Sequence, residues 1–363
     1  LTGLYGIKAN FGRVPVYPVS ATPTLAHVGP LCRNVEDACT VLKIISGSDW
    51  KDPFSVSENV PDFRASINKN KKFKIAWSPT LGYAKPEKEV LEKLNLAIKN
   101  IESLGHQVEL VDKIFDKDPV DLWNAEFYAG VGTKLKQIIE NNPDLIDPPI
   151  LEVLKIAITQ EMGSYYGSVF ERYALREKMR VFFEKYDLLI TPTLPCSAFK
   201  AAQNVPENFP DRNIVSWVYY TYPFNLTGQP AASINAGFSK NNLPIGMQIV
   251  SNTNKEIDIL NLSKQFEDNF LDLNIKPKIY WVFYITQEYK CLIKTRNINF
   301  KMNNNFLRIK FNDAGDESAS HTLKAYHLID NLLKKGDQKY KYKIDVKDIK
   351  GNTVVDIFIK YKN

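Results

Sequence analysis

"KFKIAWSPTLGYAKPEKEVLEKLNLAIKNIESLGHQVELVD" occupies residues 72–112, and its apolar pattern changes period twice. Residues 72–78 form a short apolar and aromatic run that reads as a strand, closed by Pro79. In residues 86–105 the apolar positions Val90, Leu91, Leu94, Ala97, Ile98, Ile101 and Leu104 recur at helical spacing, and Gly105 supplies the stop. Residues 106–112 return to a strand pattern. Strand, helix and strand joined by short links predict a layered α/β fold.

The flanking chain fits that reading. Residues 34–46 predict a helix, with Asn34 as N-cap, Glu36 and Asp37 in the first turn and Gly47 after the end. Residues 119–184 read as mostly helical, with a break at the Pro-rich "NNPDLIDPPI". "YDLLITPT" (186–193) is a short buried strand ending at Pro192. "AASINAGF" and "PIGMQIV" are two more strands linked through "SKNNL". Residues 254–270 predict a closing helix.

The chain has 363 residues, 44% of them apolar, enough for a large core in one to three domains. No apolar run approaches the roughly 18 residues of a membrane-spanning helix, so a membrane partner is not expected. Cys32, Cys39, Cys196 and Cys291 form no C-x-x-C pair, and the four His are scattered. Such thiols read as small buried hydrophobes of a reducing, cytoplasmic compartment, with no metal site. Charge is uneven. Residues 1–281 carry 31 basic and 32 acidic side chains, while residues 282–363 carry 16 and 9. The near-neutral body gives no electrostatic basis for binding nucleic acid.

The character of the sequence changes near residue 281. Residues 282–301 show no clear period and read as a linker. From Met302 a small α+β module follows. Leu307, Ile309 and Phe311 alternate in a strand, residues 318–336 form an amphipathic helix, and alternation around Tyr340–Val346 and Val355–Tyr361 marks a hairpin. The expected order is β-α-β-β. The Asn/Lys-rich junction and the internal Met302 are compatible with either an appended domain or a separate reading frame. The alternating Lys residues read as a solvated sheet face, and no function is assigned to this module.

Four stretches, in order, carry a resemblance: "GLYGIKANFGRVP" (3–15), "HVGPLCRNVEDACTVLKIISG" (27–47), "YDLLITPTLP" (186–195) and "YPFNLTGQPAASINAGFSKNNLPIGMQIV" (222–250). Together they resemble the amidase signature family of serine amide hydrolases, over residues 1 to about 281. The resemblance implies an α/β/α sandwich around a mixed sheet. It also implies an acyl-Ser mechanism with a Ser nucleophile, a bridging Ser and a catalytic Lys, and no cofactor. In that family the Gly/Ser-rich catalytic segment precedes the G-[LI]-K stretch, matched here by Gly6-Ile7-Lys8. All three catalytic residues are therefore expected upstream of Leu1, and this chain reads as an N-terminally truncated member that is inactive alone.

Amides are poor electrophiles with poor leaving groups, so their hydrolysis needs an activated nucleophile, oxyanion donors and an acid for the amine. Lys8 reads as the ordinary Lys of its motif and not as a general base. His27 near Ser20 reads as structural and not as half of a Ser–His pair. Candidate pocket residues are Tyr5, which lies within the first motif, Trp123 and Tyr128 on a helical stretch, and Asn225, Thr227 and Gln229 in what reads as a loop. Thr191-Pro192-Thr193 reads as a backbone-shaping turn, and "WVYYTYPF" (217–224) as core. The expected partner is a small-molecule amide substrate, and a homodimer is a further expectation.

Within the family the wording "NLTGQPAAS" is similar to the general amidases. The alternative is the glutamine-hydrolysing component (the A chain) of the tRNA-dependent amidotransferase, which usually carries an Asp ahead of the corresponding loop to hold the amino group of glutamine. Residues 217–225 contain no acid, and an unpaired buried ammonium is costly. A third reading is a non-catalytic remnant that serves as a binding scaffold.

Overall fold

The computed structural model describes residues 2–67, 69–201, 203–214 and 216–271, and the strands within 298–361 named below. The chain divides into two compact units, 1–274 and 275–363.

The first unit begins with β1 (Tyr5–Lys8), β2 (Leu31–Cys32), α1 (Val35–Ile45) and α2 (Phe63–Ser66). It continues through β3 (Lys74–Trp77), α3 (Lys88–Ser103) and β4 (Gln107–Leu110). A helical stretch follows: α4 (Val120–Lys134), α5 (Lys136–Asn141), a 3-10 turn (Pro143–Leu145), α6 (Pro148–Ala157) and α7 (Met162–Lys185). The unit closes with β5 (Leu188–Pro192), α8 (Tyr222–Thr227), β6 (Ala231–Phe238), β7 (Pro244–Ser251) and α9 (Glu256–Phe270). The α1 helix starts where the sequence placed it, with the Asn34 side chain accepting from the Asp37 N–H at 2.7 Å. Gly105 adopts φ +85° just after α3, a left-handed conformation that favours glycine.

The sheet runs β2-β1-β6-β7-β5-β3-β4. Neighbours are antiparallel from β2 to β5, and β5-β3-β4 are parallel. The two sheet faces sort by alternation. Ile75, Trp77, Leu188, Ile190, Ala232, Ile234, Met247 and Ile249 share one core with α1, α2, α3 and α9. Ala76, Leu189, Ala231 and Val250 belong to a second core on the other face, with Met179 and Phe183 of α7 and Phe224 of α8. Helices thus cover both faces of a mixed sheet, the α/β/α arrangement expected.

Two features depart from the sequence reading. Residues 225–227, read as the start of a loop, are the last residues of α8. Pro223 sits in its first turn and Gly228 (φ +84°) ends it, so Pro and Gly bracket a short helix that runs into the expected loop. Tyr5–Lys8, read only as a motif, is a strand inserted between β2 and β6.

In the second unit, β8 (Ile298–Asn303), β9 (Phe306–Phe311), β10 (Tyr340–Asp348) and β11 (Thr353–Tyr361) form an antiparallel sheet in the order β10-β11-β9-β8. The strand β8 covers both the end of the stretch read as linker and Met302. The helix expected at 318–336 lies outside the described residues, as does Cys291.

Candidate functional site

A cavity of about 290 Å³ opens on the second face of the sheet, opposite the α1/α3/α9 core. Its walls include Gly6 and Lys8 of β1, Ser233 of β6, Gln248 of β7, Thr193 just past β5 and Asn225 of α8. Strand register brings these distant residues together: Gly6 stands opposite Ser233, and Ser233 opposite Gln248, which in turn faces Thr191. Thr193 Oγ1 and Ser233 Oγ are 2.8 Å apart and share a hydrogen bond. The buried Gln248 amide donates to Thr191 Oγ1 at 3.0 Å and to the Tyr220 carbonyl at 2.7 Å.

Lys8 spans the gap between β1 and the α8 loop. Its Nζ donates to the carbonyls of Phe224 (3.2 Å) and Gln229, holding the 224–229 segment over the sheet. Burial pushes the Lys8 pKa down to about 7, with Glu256 opposing the fall. His27 Nδ1 contacts the Leu25 carbonyl at 2.8 Å and therefore carries the proton. Burial first, then the neighbouring Lys8, lowers the imidazole pKa to about 3. Ser20 Oγ bonds within its own turn, to Thr22, so the described residues form no Ser20–His27 pair.

Behind the loop a buried ion pair anchors the helical layer. Arg172 of α7 donates to Glu126 of α4, to Thr24 Oγ1 (2.7 Å), to the Thr24 carbonyl (2.8 Å) and to the Leu226 carbonyl (2.6 Å). Thr24 Oγ1 donates to the other Glu126 oxygen. This network fastens the end of α8 to the 22–27 turn.

Of the six residues singled out from sequence, only Asn225 lines the cavity; its Nδ2 donates to the Leu25 carbonyl at 3.1 Å. Tyr5 points to the opposite sheet face, where its hydroxyl meets Ser263 Oγ at 3.2 Å. Trp123 stacks on Phe127 with centroids 4.9 Å apart. Tyr128 is buried against Ile139 and Leu154, and burial pushes its phenol up to about 12. Thr227 Oγ1 donates to the Pro223 carbonyl inside α8, and Gln229 contributes its carbonyl to Lys8. The aromatic run 217–224 is core, as read: Tyr219, Tyr220 and Phe224 are almost fully enclosed. Sequence reasoning missed Ser233 and Gln248, and gave Thr193 only a backbone-shaping role. A Gln inside the apolar strand "PIGMQIV" was the available signal, since a buried polar side chain must find partners.

The amidase family model matches residues 1–260, most of the chain. The chain belongs to the amidase signature family. An acylamidase of Rhodococcus erythropolis is 26% identical to this amidase-family chain over 280 residues, covering 74% of it and 57% of the relative. The A chain of the glutamyl-tRNA(Gln) amidotransferase of Brevibacillus brevis is 28% identical over 313 residues, covering 77% and 61%. In fold it is similar to a bacterial aryl acylamidase (TM-score 0.65, 23% identity, 73% of this chain and 58% of that one). It is also similar to 6-aminohexanoate cyclic dimer hydrolase (TM-score 0.69, 22% identity, 77% and 62%). The chain spans about three-fifths of the length of the curated relatives it matches.

Among the described residues no cluster of His, Cys, Asp and Glu could hold a metal ion, and no helix is long and apolar enough to cross a membrane. Cys32, Cys39 and Cys196 are free thiols; burial pushes Cys39 up to about 12.

Proposed function

We propose that the whole protein is an amide hydrolase acting on small carboxylic amides through an acyl-Ser intermediate, and that this cavity receives part of the substrate. One observation carries the reading: the Gly6-Ile7-Lys8 motif is itself a wall of the cavity. In the family resemblance, the segment bearing the nucleophile leads into this motif, so it would arrive at the cavity rim. The Ser oxygen would add to the carbonyl carbon, the C–N bond would break with a proton passing to the leaving amine, and water would release the acid. The described part of the chain supplies the walls and the held loop. The Lys8 ammonium donates to two carbonyls, which supports a positioning role and not that of a base. The 363-residue chain by itself is proposed to bind without turnover.

The amidotransferase reading stands second, motivated by relatives of that name. Against it, residues 217–225 hold no acid, so the α-amino group of glutamine would lack a carboxylate partner from this segment. The test is to incubate the product of the entire gene with acyl anilides, with glutamine, and with a fluorophosphonate probe for reactive Ser. Release of aniline together with covalent labelling is expected. A folded protein that does neither would leave the scaffold reading standing, and ammonia from glutamine alone would favour the amidotransferase.

A further inference from the structure

The polar row on the cavity floor has an unequal hydrogen-bond inventory. Gln248 is 4% exposed and lines the cavity. Both hydrogens of its amide are taken, by Thr191 Oγ1 and the Tyr220 carbonyl. The carbonyl of Tyr220 only accepts, which fixes the amide orientation and leaves Oε1 as the remaining polar atom. No described residue donates to that oxygen, and the side chain that carries it lines the cavity. Directly across the ladder, Ser233 and Thr193 share one hydrogen bond between two hydroxyls. One hydroxyl hydrogen of that pair is therefore spare. Gly246 permits the pairing, since a Cβ there would sit 2.8 Å from Thr193 Oγ1 and 3.0 Å from Ser233 Oγ.

We infer that Gln248, with the Thr193–Ser233 pair, determines specificity for a neutral substrate group that carries an N–H, such as a carboxamide or ureido group. Resting on the amide-hydrolase reading, this names the acyl side of the substrate: a chain ending in such a group, and not a hydrocarbon or a carboxylate. An N–H donates to the fixed Gln248 oxygen while the carbonyl of the same group accepts the spare hydroxyl hydrogen. A hydrocarbon leaves both unmet, and a carboxylate brings acceptors against an acceptor. Sites built to hydrogen-bond a group reject its isostere more strongly than apolar pockets do.

The test is ligand-observed NMR on the 363-residue chain with three probes of similar size: butyramide, 2-pentanone and butyrate. Butyramide is expected to bind about 10-fold more tightly than either of the others, the worth of one buried hydrogen bond. The preference should fall below about threefold in Ser233→Ala and in Gln248→Met. If Gln248→Met fails to fold, Ser233→Ala decides alone. Equal binding of the three probes, or a preference that survives Ser233→Ala, overturns the assignment. Binding is read on the 363-residue chain and hydrolysis on the product of the entire gene, so selective binding here with no hydrolysis by the entire product would sink the hydrolase reading and leave this one intact. Hydrolysis without the selectivity would do the reverse.

Discussion

Lys8 donates to the carbonyl of Gln229, 221 residues further along the chain, and the same ammonium reaches the Phe224 carbonyl. The contact ties the first strand to α8 and the residues just past its end, and burial makes the charge expensive. The Lys8 pKa lies near 7 in the folded chain against an ordinary value of 10.5. Between those values the unfolded chain binds the proton and the folded chain does not. Stability therefore rises with pH from about 7 to about 10.5, at up to about 1.4 kcal/mol per pH unit. Urea unfolding from pH 6.5 to 10.5 should show this slope in the native chain and its loss in Lys8→Met. An identical pH profile in both proteins would refute it.

His27 acts in a separate window. Its imidazole is held neutral, with a pKa near 3 against 6.5. The unfolded chain takes up the proton first as pH falls, so stability is lost progressively from about 6.5 down to about 3. His27→Gln should flatten the acid limb and leave the alkaline limb of Lys8 unchanged. The two limbs separate by urea midpoints at pH 4, 6, 8 and 10, and an acid limb of equal steepness in His27→Gln would count against the burial argument.

The Arg172–Glu126 pair offers a sharper stability test. Both side chains are about nine-tenths buried, and Arg172 also holds the Leu226 and Thr24 carbonyls. Glu126→Leu leaves a buried guanidinium without its carboxylate and should cost about 3–5 kcal/mol. Replacing both, Glu126→Leu with Arg172→Met, should cost less than the single change, because no charge is stranded. Chemical denaturation of the three proteins measures this; a double variant weaker than Glu126→Leu would mean that the carbonyl contacts outweigh the ion pair.

What could be read from the sequence followed the range of each contact. The α1 and α3 helices, with their Asn34 cap and Gly105 stop, are local patterns and were legible. Asn225, named from its motif, lies in the cavity wall. Tyr5 was misplaced because its motif gave no sheet parity: once Tyr5–Lys8 is a strand, alternation sends Tyr5 and Ile7 to one core and Gly6 and Lys8 to the cavity. Thr193, Ser233 and Gln248 meet only through the pairing of β5, β6 and β7, and no local pattern states that register. Trp123 and Tyr128 illustrate the converse. Their helical spacing fitted an ordinary packed face, and the structure packs Tyr128 against Leu154.

Two glycines separate backbone crowding from backbone entropy. At Gly29, a wall of the cavity, an added Cβ would lie 1.8 Å from the Ile7 carbonyl oxygen and 2.9 Å from its carbon. The obstacle is main chain of β1, so β1 or the 29–31 segment must move. The Ile7 N–H to Pro30 carbonyl bond at 3.2 Å would move with it. Gly29→Ala should therefore cost more than about 3 kcal/mol, at the upper end of overpacking effects. At Gly167, inside α7, nothing lies within 4 Å of the added Cβ. Gly167→Ala should stabilise by about 0.5–1 kcal/mol through helix propensity alone. Urea unfolding of both variants reads the pair. Opposite signs are expected, and a neutral Gly29→Ala would show that β1 does not approach the 29–31 segment as closely as described.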